Sequence, residues 1–451
     1  MISINLRRPF MSDSHMVNIL RSSSQRKRML IAGVLTFVSL YPSTSGAQGA
    51  PYGKTVSDIR VHTVAPRLEA KVISELVSRV GQPYLAEDAS KDRERLDRLG
   101  MFSAVEIRPV VAGDTVVLEV EVAQTLRYLP LVSLGISDED GASVGGGLKS
   151  ADFLGTGYSL SSAARFGGST QVEVIAEDRW VSDTPFSQLQ FFYLDRNNTL
   201  DSFDERSMEL DLRLGGYVTE TATVGGTAGL MSLRSDTAAA TLSSGERDTV
   251  LTLGAFVGQD SVDSRSSPHR GWLNELALAR YFGSGAGFWR LTADVRRFQP
   301  MSPRQTLVLS SLTTLQTGRP EVDIPIYRDF HIGGANTIRG WDLDTVSGKN
   351  EHISTAEYRY TVVEPTDFTV FGASFYAGLQ VAAFTDVGIV WNDADGLSTA
   401  QIVDGYGVGL RLLLPFVDIV RIDFAFGQPD KGVQRHFGVL EKATMQRRRV
   451  R

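Results

Sequence analysis

Few side chains in this sequence are arranged for catalysis. Ser143 lies in the run Gly-Ala-Ser-Val-Gly at 141–145, which matches the G-x-S-x-G pattern of a nucleophile elbow. That elbow requires a strand, a sharp turn and a helix, with His and Asp partners, but no helical pattern follows Ser143. The histidines lack the spacing of metal ligands, and no phosphate-binding glycine pattern opens a helix. The sequence therefore predicts no enzyme, no catalytic residue, no metal site and no cofactor.

The composition removes further classes of function. The chain has no cysteine, which excludes disulfide frameworks, cysteine-ligated zinc and thiol nucleophiles. With 46 basic and 52 acidic residues the formal net charge is −6. This balance argues against a nucleic-acid partner, which would need a clustered basic surface. What the charged residues can do then depends on the elements that carry them.

Residues 1–50 predict an export signal. Basic residues at 26–28 precede an apolar run at 29–41, and small residues at 45–47 provide a cleavage site. The alternative is a membrane anchor, for which the apolar run is short. The first part of this segment has no apolar run of its own, which favours a later true start and an over-annotated N-terminus.

Residues 55–125 predict a small α+β domain with the order βααββ. Apolar residues repeat at helical spacing up to Gly81, and Gly100 ends a second, highly charged helix. The strands show the alternation of apolar and polar side chains that is typical of a half-buried sheet. The predicted elements are a strand at 56–64, helices at 68–80 and 86–99, and strands at 104–111 and 115–122.

Residues 127–445 predict a long antiparallel β-structure. Alternating segments of about ten residues are separated by Gly, Asp, Ser and Asn; in one of them Leu210 and Leu212 oppose Glu209 and Asp211. A soluble β-sandwich also alternates, but the length of the array and the charge on its polar side favour a transmembrane β-barrel. At roughly twenty residues per strand and loop, this segment accommodates about sixteen strands. The predicted fold class is therefore mainly β, with one small α+β domain before the barrel.

Two motifs carry a resemblance to a known family. The run FHIGGANTIRGW at 330–341 resembles the lumen-loop signature of the BamA/TamA-like outer-membrane assembly factors, the bacterial surface antigen family. The run FTDVG at 384–388 resembles the barrel-wall motif of that family. The resemblance implies that the loop folds back into the lumen and that Arg339 pairs with Asp386. The predicted site residues are Gly333, Gly334, Ile338, Arg339, Gly340 and Trp341 in the loop, and Phe384, Asp386 and Gly388 in the wall.

The small domain resembles a POTRA domain, the periplasmic module of this family, although a generic α+β fold would give the same pattern. Its run RLGMFSAVEIRP at 98–109 is similar to the family's passage from helix to strand. Only one such unit fits before the barrel, where family members carry several. The basic tail at 446–451 also departs from the terminal aromatic residue of the family.

The resemblance implies a factor that inserts proteins into the Gram-negative outer membrane, or passes them across it, without ATP. Its partners would be unfolded outer-membrane or secreted clients, outer-membrane lipid and accessory periplasmic or lipoprotein subunits. The strands at the two ends of the barrel, near 128–136 and 436–444, would part and pair with a client strand. Two alternatives remain open at this point: a dedicated two-partner-type secretion pore and a passive outer-membrane channel.

Overall fold

The computed structural model describes residues 50–440, apart from short gaps at 64–65, 100, 125–127, 138–140, 179, 181–184, 264–266, 344, 371–372, 394–399 and 414–418. Three predicted features lie outside the described residues: the export signal up to residue 49, the end of the last strand after residue 440, and the basic tail at 446–451. Within the described part of the chain, no helix is both long enough and apolar enough to cross a membrane.

The small domain has the predicted order of elements. It consists of β1 (Thr55–Thr63), α1 (Glu69–Glu75), α2 (Ala86–Arg98), β2 (Phe102–Ala112) and β3 (Thr115–Gln124). The central strand β3 pairs with β1 in parallel and with β2 in antiparallel orientation. Alternate residues of β3, from Val116 to Val122, are buried against apolar side chains of both helices. Because a sheet of three strands is covered on one face by helices, the domain has a core of its own.

The first helix ends earlier than predicted. The apolar spacing continues to Val80, but α1 ends at Glu75, and Leu76 is already extended with ψ of 147°. The backbone N–H groups of Val77 and Ser78 donate to the buried carboxylate of Asp92 on α2. These amides thus find their acceptor on another helix, so the chain turns away and leaves Val80 exposed.

The remaining strands form one large antiparallel sheet and one small hairpin. In chain order they are β4 (Leu129–Ser137), β5 (Gly141–Ser150), β6 (Ser159–Gly167), β7 (Ser169–Glu177), β8 (Phe186–Asn198), β9 (Phe203–Tyr217), β10 (Ala222–Ser235), β11 (Arg247–Asp260), β12 (Gly271–Gly283), β13 (Ala286–Ser302), β14 (Gln305–Gln316), β15 (Phe330–Ile332), β16 (Val346–Gly348), β17 (Asn350–Val370), β18 (Ala373–Trp391), β19 (Val403–Leu413), β20 (Ile419–Phe426) and β21 (Gln434–Leu440). Strands β15 and β16 pair with each other, and the others form a sheet of 16 strands in sequence order. The predicted strand number is confirmed.

The large sheet carries its apolar side chains outward. On β13, Trp289 is 45% exposed, whereas its neighbour Arg290 is 8% exposed. On β9, Leu210 and Leu212 are exposed and Ser207 is buried. This distribution is the reverse of that in a soluble sandwich, where the apolar face is buried. It is the distribution of a sheet whose outer face contacts lipid and whose inner face is polar.

The two edge strands of this sheet, β4 and β21, lie near each other. Cα atoms of the two strands come within 8 Å. Among the described residues, however, each edge strand forms a backbone ladder on one side only, with β5 and β20 respectively. The edges begin close to their predicted positions, at Leu129 and Gln434. Closure of the barrel by a ladder between them stays a prediction.

One tryptophan from the large sheet completes the core of the small domain. Trp180, which follows β7, is 1% exposed and packs with the buried side chains of the small domain. Its indole N–H donates to the carbonyl oxygen of Gly157, at 3.1 Å, and the ammonium of Lys71 lies 5.2 Å from its ring centroid. The tryptophan therefore joins the two parts of the chain through apolar contact, a hydrogen bond and a cation–π contact.

Two ion pairs support this junction. Arg67, just before α1, pairs with Asp152 in the β5–β6 connection. Arg95 Nη2 on α2 lies 2.9 Å from Glu220 Oε1 in the β9–β10 turn. Together with Trp180, these contacts place the small domain against three connections at the same end of the strands.

We expect Trp180→Ala to loosen the small domain from the sheet. Truncation of a buried tryptophan costs about 3–5 kcal/mol, and the hydrogen bond to Gly157 is also lost. Limited proteolysis and amide exchange should therefore show faster cleavage and faster exchange in the small domain. Trp289→Ala, which removes an exposed tryptophan from β13, is the matched control. Equal rates in the two variants would contradict the proposed junction.

Candidate functional site: a charged cluster beneath the inner loop

A long connection between β14 and β17 folds over the polar face of the sheet. This connection, residues 317–349, is called the inner loop below. It contains the β15–β16 hairpin, in which Phe330 pairs with Gly348 and Ile332 with Val346. Because the hairpin closes the base of the residues between its strands, the glycine-rich run is held as a compact unit.

The glycine-rich run is closed by its own hydrogen bonds. The backbone N–H of Gly333 donates to the Thr337 hydroxyl at 2.8 Å, and this hydroxyl donates to the Gly333 carbonyl at 2.6 Å. The N–H of Gly334 donates to the carbonyl of Trp341 at 3.0 Å. Ile338 is fully buried in a small apolar core between the inner loop and the inner face of the sheet. The run therefore has a fixed shape from which the next side chain projects.

Arg339 projects onto Asp386 of β18. Its Nε and Nη2 atoms donate to the two carboxylate oxygens at 2.7 and 2.9 Å, and its backbone N–H donates to Oδ2 at 3.2 Å. The guanidinium also stacks on Phe384, 3.3 Å from the ring centroid. Arg339 is 4% and Asp386 1% exposed. A bidentate pair of this kind fixes both the depth and the orientation of the arginine.

Further charges surround this pair. Arg339 Nη1 donates to Glu357 Oε2 at 3.0 Å and to Asp423 Oδ2 at 3.3 Å. Arg411 bridges the same two carboxylates, at 2.8 Å to Glu357 and 2.5 Å to Asp423. The charged cluster consists of Arg339, Arg359, Arg411, Arg421, Glu357, Asp386 and Asp423. Its members come from the inner loop and from β17 to β20, so the cluster ties the loop to four neighbouring strands.

Two glycines let the loop and the wall approach each other. Gly340 has φ of +91°, and a Cβ there would lie 2.5 Å from the carbonyl carbon of Phe426. A Cβ on Gly388 would lie 2.7 Å from Ile338 Cδ1. Both positions therefore exclude larger side chains for a physical reason. Trp341 completes the contact, because its indole N–H donates to the carbonyl of Asp404 at 2.6 Å.

The structure brings the predicted site residues together. The loop residues form one compact run, and the three wall residues lie beneath it on β18. Ser143, the serine of the G-x-S-x-G pattern, lies within β5 opposite Gly135, so it is followed by the rest of a strand and not by the helix of a nucleophile elbow. Within the described ranges, no group of three or more His, Asp or Glu side chains is placed to hold a metal ion.

Several members of the cluster were not predicted from the sequence. In the sequence, Glu357, Arg411 and Asp423 look like ordinary residues of alternating strands. Each occupies an inward position between exposed or half-buried neighbours in its strand. Charged residues at inward positions of β17, β19 and β20 are the signal that could have found them.

We expect the Arg339–Asp386 pair to be strongly coupled in a double-mutant cycle. Arg339→Gln and Asp386→Asn should each cost about 3–5 kcal/mol because a buried charge loses its partner. The two effects should be non-additive by about 0.5–3 kcal/mol. Denaturant unfolding of the detergent-solubilised protein, followed by tryptophan fluorescence, measures both quantities.

A matched control is the pair of Arg213 and Glu275, whose Nη2 and Oε2 atoms lie 2.7 Å apart at partly exposed positions of the same inner face. For this pair the coupling should be at most about 1 kcal/mol. Coupling between Arg339 and Asp386 that is no larger than the control would contradict the importance of the buried pair.

Comparisons with known proteins agree with this architecture. The Omp85 superfamily domain matches residues 152–439. The chain is 23% identical over 389 residues to the outer membrane protein assembly factor BamA of Nitratidesulfovibrio vulgaris, covering 82% of this chain and 48% of the relative. It is 27% identical over 169 residues to BamA of Neisseria meningitidis serogroup B, covering 34% of this chain and 21% of the relative. The chain thus spans about half the length of the first relative and about a fifth of the second.

Solved structures show the same fold at low identity. BamA from Haemophilus ducreyi lacking POTRA domains 1–3 is similar with a TM-score of 0.59 and 14% identity, covering 85% of this chain and 83% of the other. CdiB from Escherichia coli is similar with a TM-score of 0.59 and 12% identity, covering 86% and 76%. The match to the superfamily domain covers more than half of this chain, and the motifs of the inner loop and of β18 are BamA/TamA-like. The chain therefore belongs to the Omp85 superfamily and is a protein of the Gram-negative outer membrane.

Proposed function

We propose that this chain inserts unfolded proteins into the outer membrane, or passes them across it, without ATP. The observation that carries the proposal is the pair of edge strands β4 and β21, which lie near each other without a backbone ladder between their described residues. Membership of the Omp85 superfamily supports the same conclusion.

Unpaired strand edges provide both a template and a driving force. An edge strand presents a row of N–H and C=O groups that a client strand can pair with by β-augmentation. In a bilayer each such group that stays unpaired costs several kcal/mol. Pairing with the client and burial of its apolar side chains in lipid therefore release free energy, and no nucleotide is required for this step.

The inner loop would keep the wall next to the edge in a fixed geometry. The charged cluster holds the loop against β17 to β20, and β20 is the only strand with a described backbone ladder to β21. If Arg339 is removed, Glu357, Asp386 and Asp423 lose a shared cation in a buried site. We infer that the template edge then becomes irregular, which makes Arg339 a positioning residue for client insertion.

The small domain at residues 55–125 would act as a periplasmic POTRA domain. Its sheet has the order β1-β3-β2, and residues 81–84 already bond to the start of β1, so the outer edge of β2 and the later part of β1 offer further edges to an unfolded client. The contacts of Trp180 and Arg95 hold this domain at one end of the strands. A client bound there would be near the β-sheet that receives it, and accessory periplasmic or lipoprotein subunits could bind the same domain.

The test is the folding of an unfolded outer-membrane β-barrel client in proteoliposomes that contain this protein. Wild type should accelerate folding, and Arg339→Ala should reduce the acceleration by about tenfold or more, since a loss of 1.4 kcal/mol in barrier lowering is tenfold in rate. Arg213→Ala, which removes an inward arginine of β9 outside the charged cluster, should keep most of the acceleration.

The same liposomes separate the proposal from its rivals. A dedicated secretion pore or a passive channel would give ion conductance or solute leakage with no acceleration of client folding. That result would overturn the insertion proposal and direct attention to a dedicated passenger protein.

A further inference from the structure

We propose that the inner loop is a tie with two anchors, which sets the position of the edge strand β21 from the middle of the sheet. The near anchor is His436 of β21, and the far anchor is formed by Tyr327 and Arg328. The inference deepens the proposed function, on which it rests for its biological meaning, because it names what controls the template edge.

The near anchor joins the inner loop directly to β21. The backbone N–H of Gly340 donates to His436 Nε2 at 2.9 Å, and His436 is buried. The carbonyl of Gly340 accepts the backbone N–H of Gln428, in the connection before β21, at 2.8 Å. Asp342 of the loop pairs with Lys431 of the same connection and accepts the Gln434 side-chain amide at 3.3 Å. The loop thus contacts both the start of β21 and the turn that leads into it.

The far anchor lies on a different set of strands. The buried Tyr327 donates its hydroxyl to Asp248 Oδ2 of β11 at 2.9 Å. Arg328 Nη2 lies 3.6 Å from Glu209 Oε1 of β9, and its guanidinium is 5.5 Å from the ring centroid of Tyr281 on β12. Tyr327 packs in an apolar cluster with Phe203, Met231, Leu233, Ala240, Val250, Ala286, Phe288 and Ile324. This end of the loop is therefore fixed by packing, a hydrogen bond and charge.

The two anchors differ in how firmly the sheet holds them. Strands β9, β11 and β12 lie inside the sheet, with a backbone ladder on both sides. Strand β21 is a seven-residue edge strand whose only described ladder is with β20. The far anchor is consequently the fixed point, and β21 is the element that can move.

The chain between the two anchors is rigid, so a displacement at the far anchor should also displace the near anchor on β21. The β15–β16 hairpin lies within it, and Phe330, Ile332, Ile338 and Trp341 form an apolar core with Ile353, Val390 and Val403 of the wall. Arg339 adds the buried ion pair with Asp386. A change at Tyr327 should therefore reach β21, although β14 and β17 to β20 lie between β21 and the strands that Tyr327 contacts.

The experiment measures the distance between the two edge strands in the absence of any client. The protein contains no cysteine, so two introduced cysteines carry the only labels. Val132 on β4 is 51% exposed and Phe437 on β21 is 42% exposed, so spin labels at Val132→Cys and Phe437→Cys face outward. Pulsed electron paramagnetic resonance then gives the distribution of label distances for the otherwise unchanged full chain.

We expect a narrow distribution in the parent protein, and a broader one in Tyr327→Ala and in His436→Ala. The mean should move by up to about one strand spacing, about 5 Å, because either change removes the restraint that the loop places on β21 and leaves only the ladder with β20. Tyr327→Phe keeps the ring and loses the hydrogen bond to Asp248. Its distance distribution should have a width between those of the parent protein and Tyr327→Ala. Val322→Ala, at an exposed position of the same loop, is the control and should match the parent.

Circular dichroism on each labelled variant establishes that the sheet is folded before distances are compared. A folded Tyr327→Ala variant with the parental distribution would overturn the tie, and so would an equal shift in Val322→Ala. Because no client is present, a protein that fails to accelerate client folding can still show the shift. Failure of the proposed function and failure of the tie are therefore distinguishable.

Discussion

The buried pair of Arg339 and Asp386 is the interaction on which the site depends. A guanidinium removed from water is costly unless its donors are matched by carboxylate oxygens in good geometry. Here Asp386 accepts two side-chain bonds and a backbone bond from Arg339, and Glu357 and Asp423 accept bonds from its remaining nitrogen, Nη1. Since these acids lie on different strands, the arginine can be satisfied only if the loop and the strands have their correct relative positions. The buried charges are thus compensated only in the correctly assembled protein.

The inward face of the large sheet also depends on the pairing of its polar and charged side chains. Its outward face is apolar, so burial of apolar side chains inside the sheet contributes little to holding it together. The inward face is polar and is organised by ion pairs such as Arg196 with Glu205, and by hydrogen bonds from charged donors such as Arg290 to Gln316. Backbone ladders and these pairs together replace the apolar core of a soluble domain. The inner loop packs into two apolar clusters formed together with strand residues of this face, one towards each end of the loop, so both ends are firmly held.

Alternation along the sequence was enough to predict the strands and their number, because a period of two directly reports which face a side chain occupies. It could not predict which inward charges meet, because the face does not specify the register between strands. Glu357, Arg411 and Asp423 were therefore missed, although Arg339 and Asp386 were found from the motifs. Tyr327 and Arg328 lie in an irregular loop without periodicity. The predicted end of α1 is wrong because a contact with Asp92, which is distant in sequence, overrides the apolar spacing.

Trp180 also has a consequence for the order in which the protein matures. The small domain precedes the large sheet in the chain, yet its core contains a tryptophan contributed by the connection after β7. The domain emerges first during synthesis but reaches its full complement of apolar contacts only when that part of the sheet has formed. Maturation of a water-exposed module is thereby linked thermodynamically to membrane assembly of the same chain. A molecule whose large sheet is still unfolded would therefore have a small domain of reduced stability.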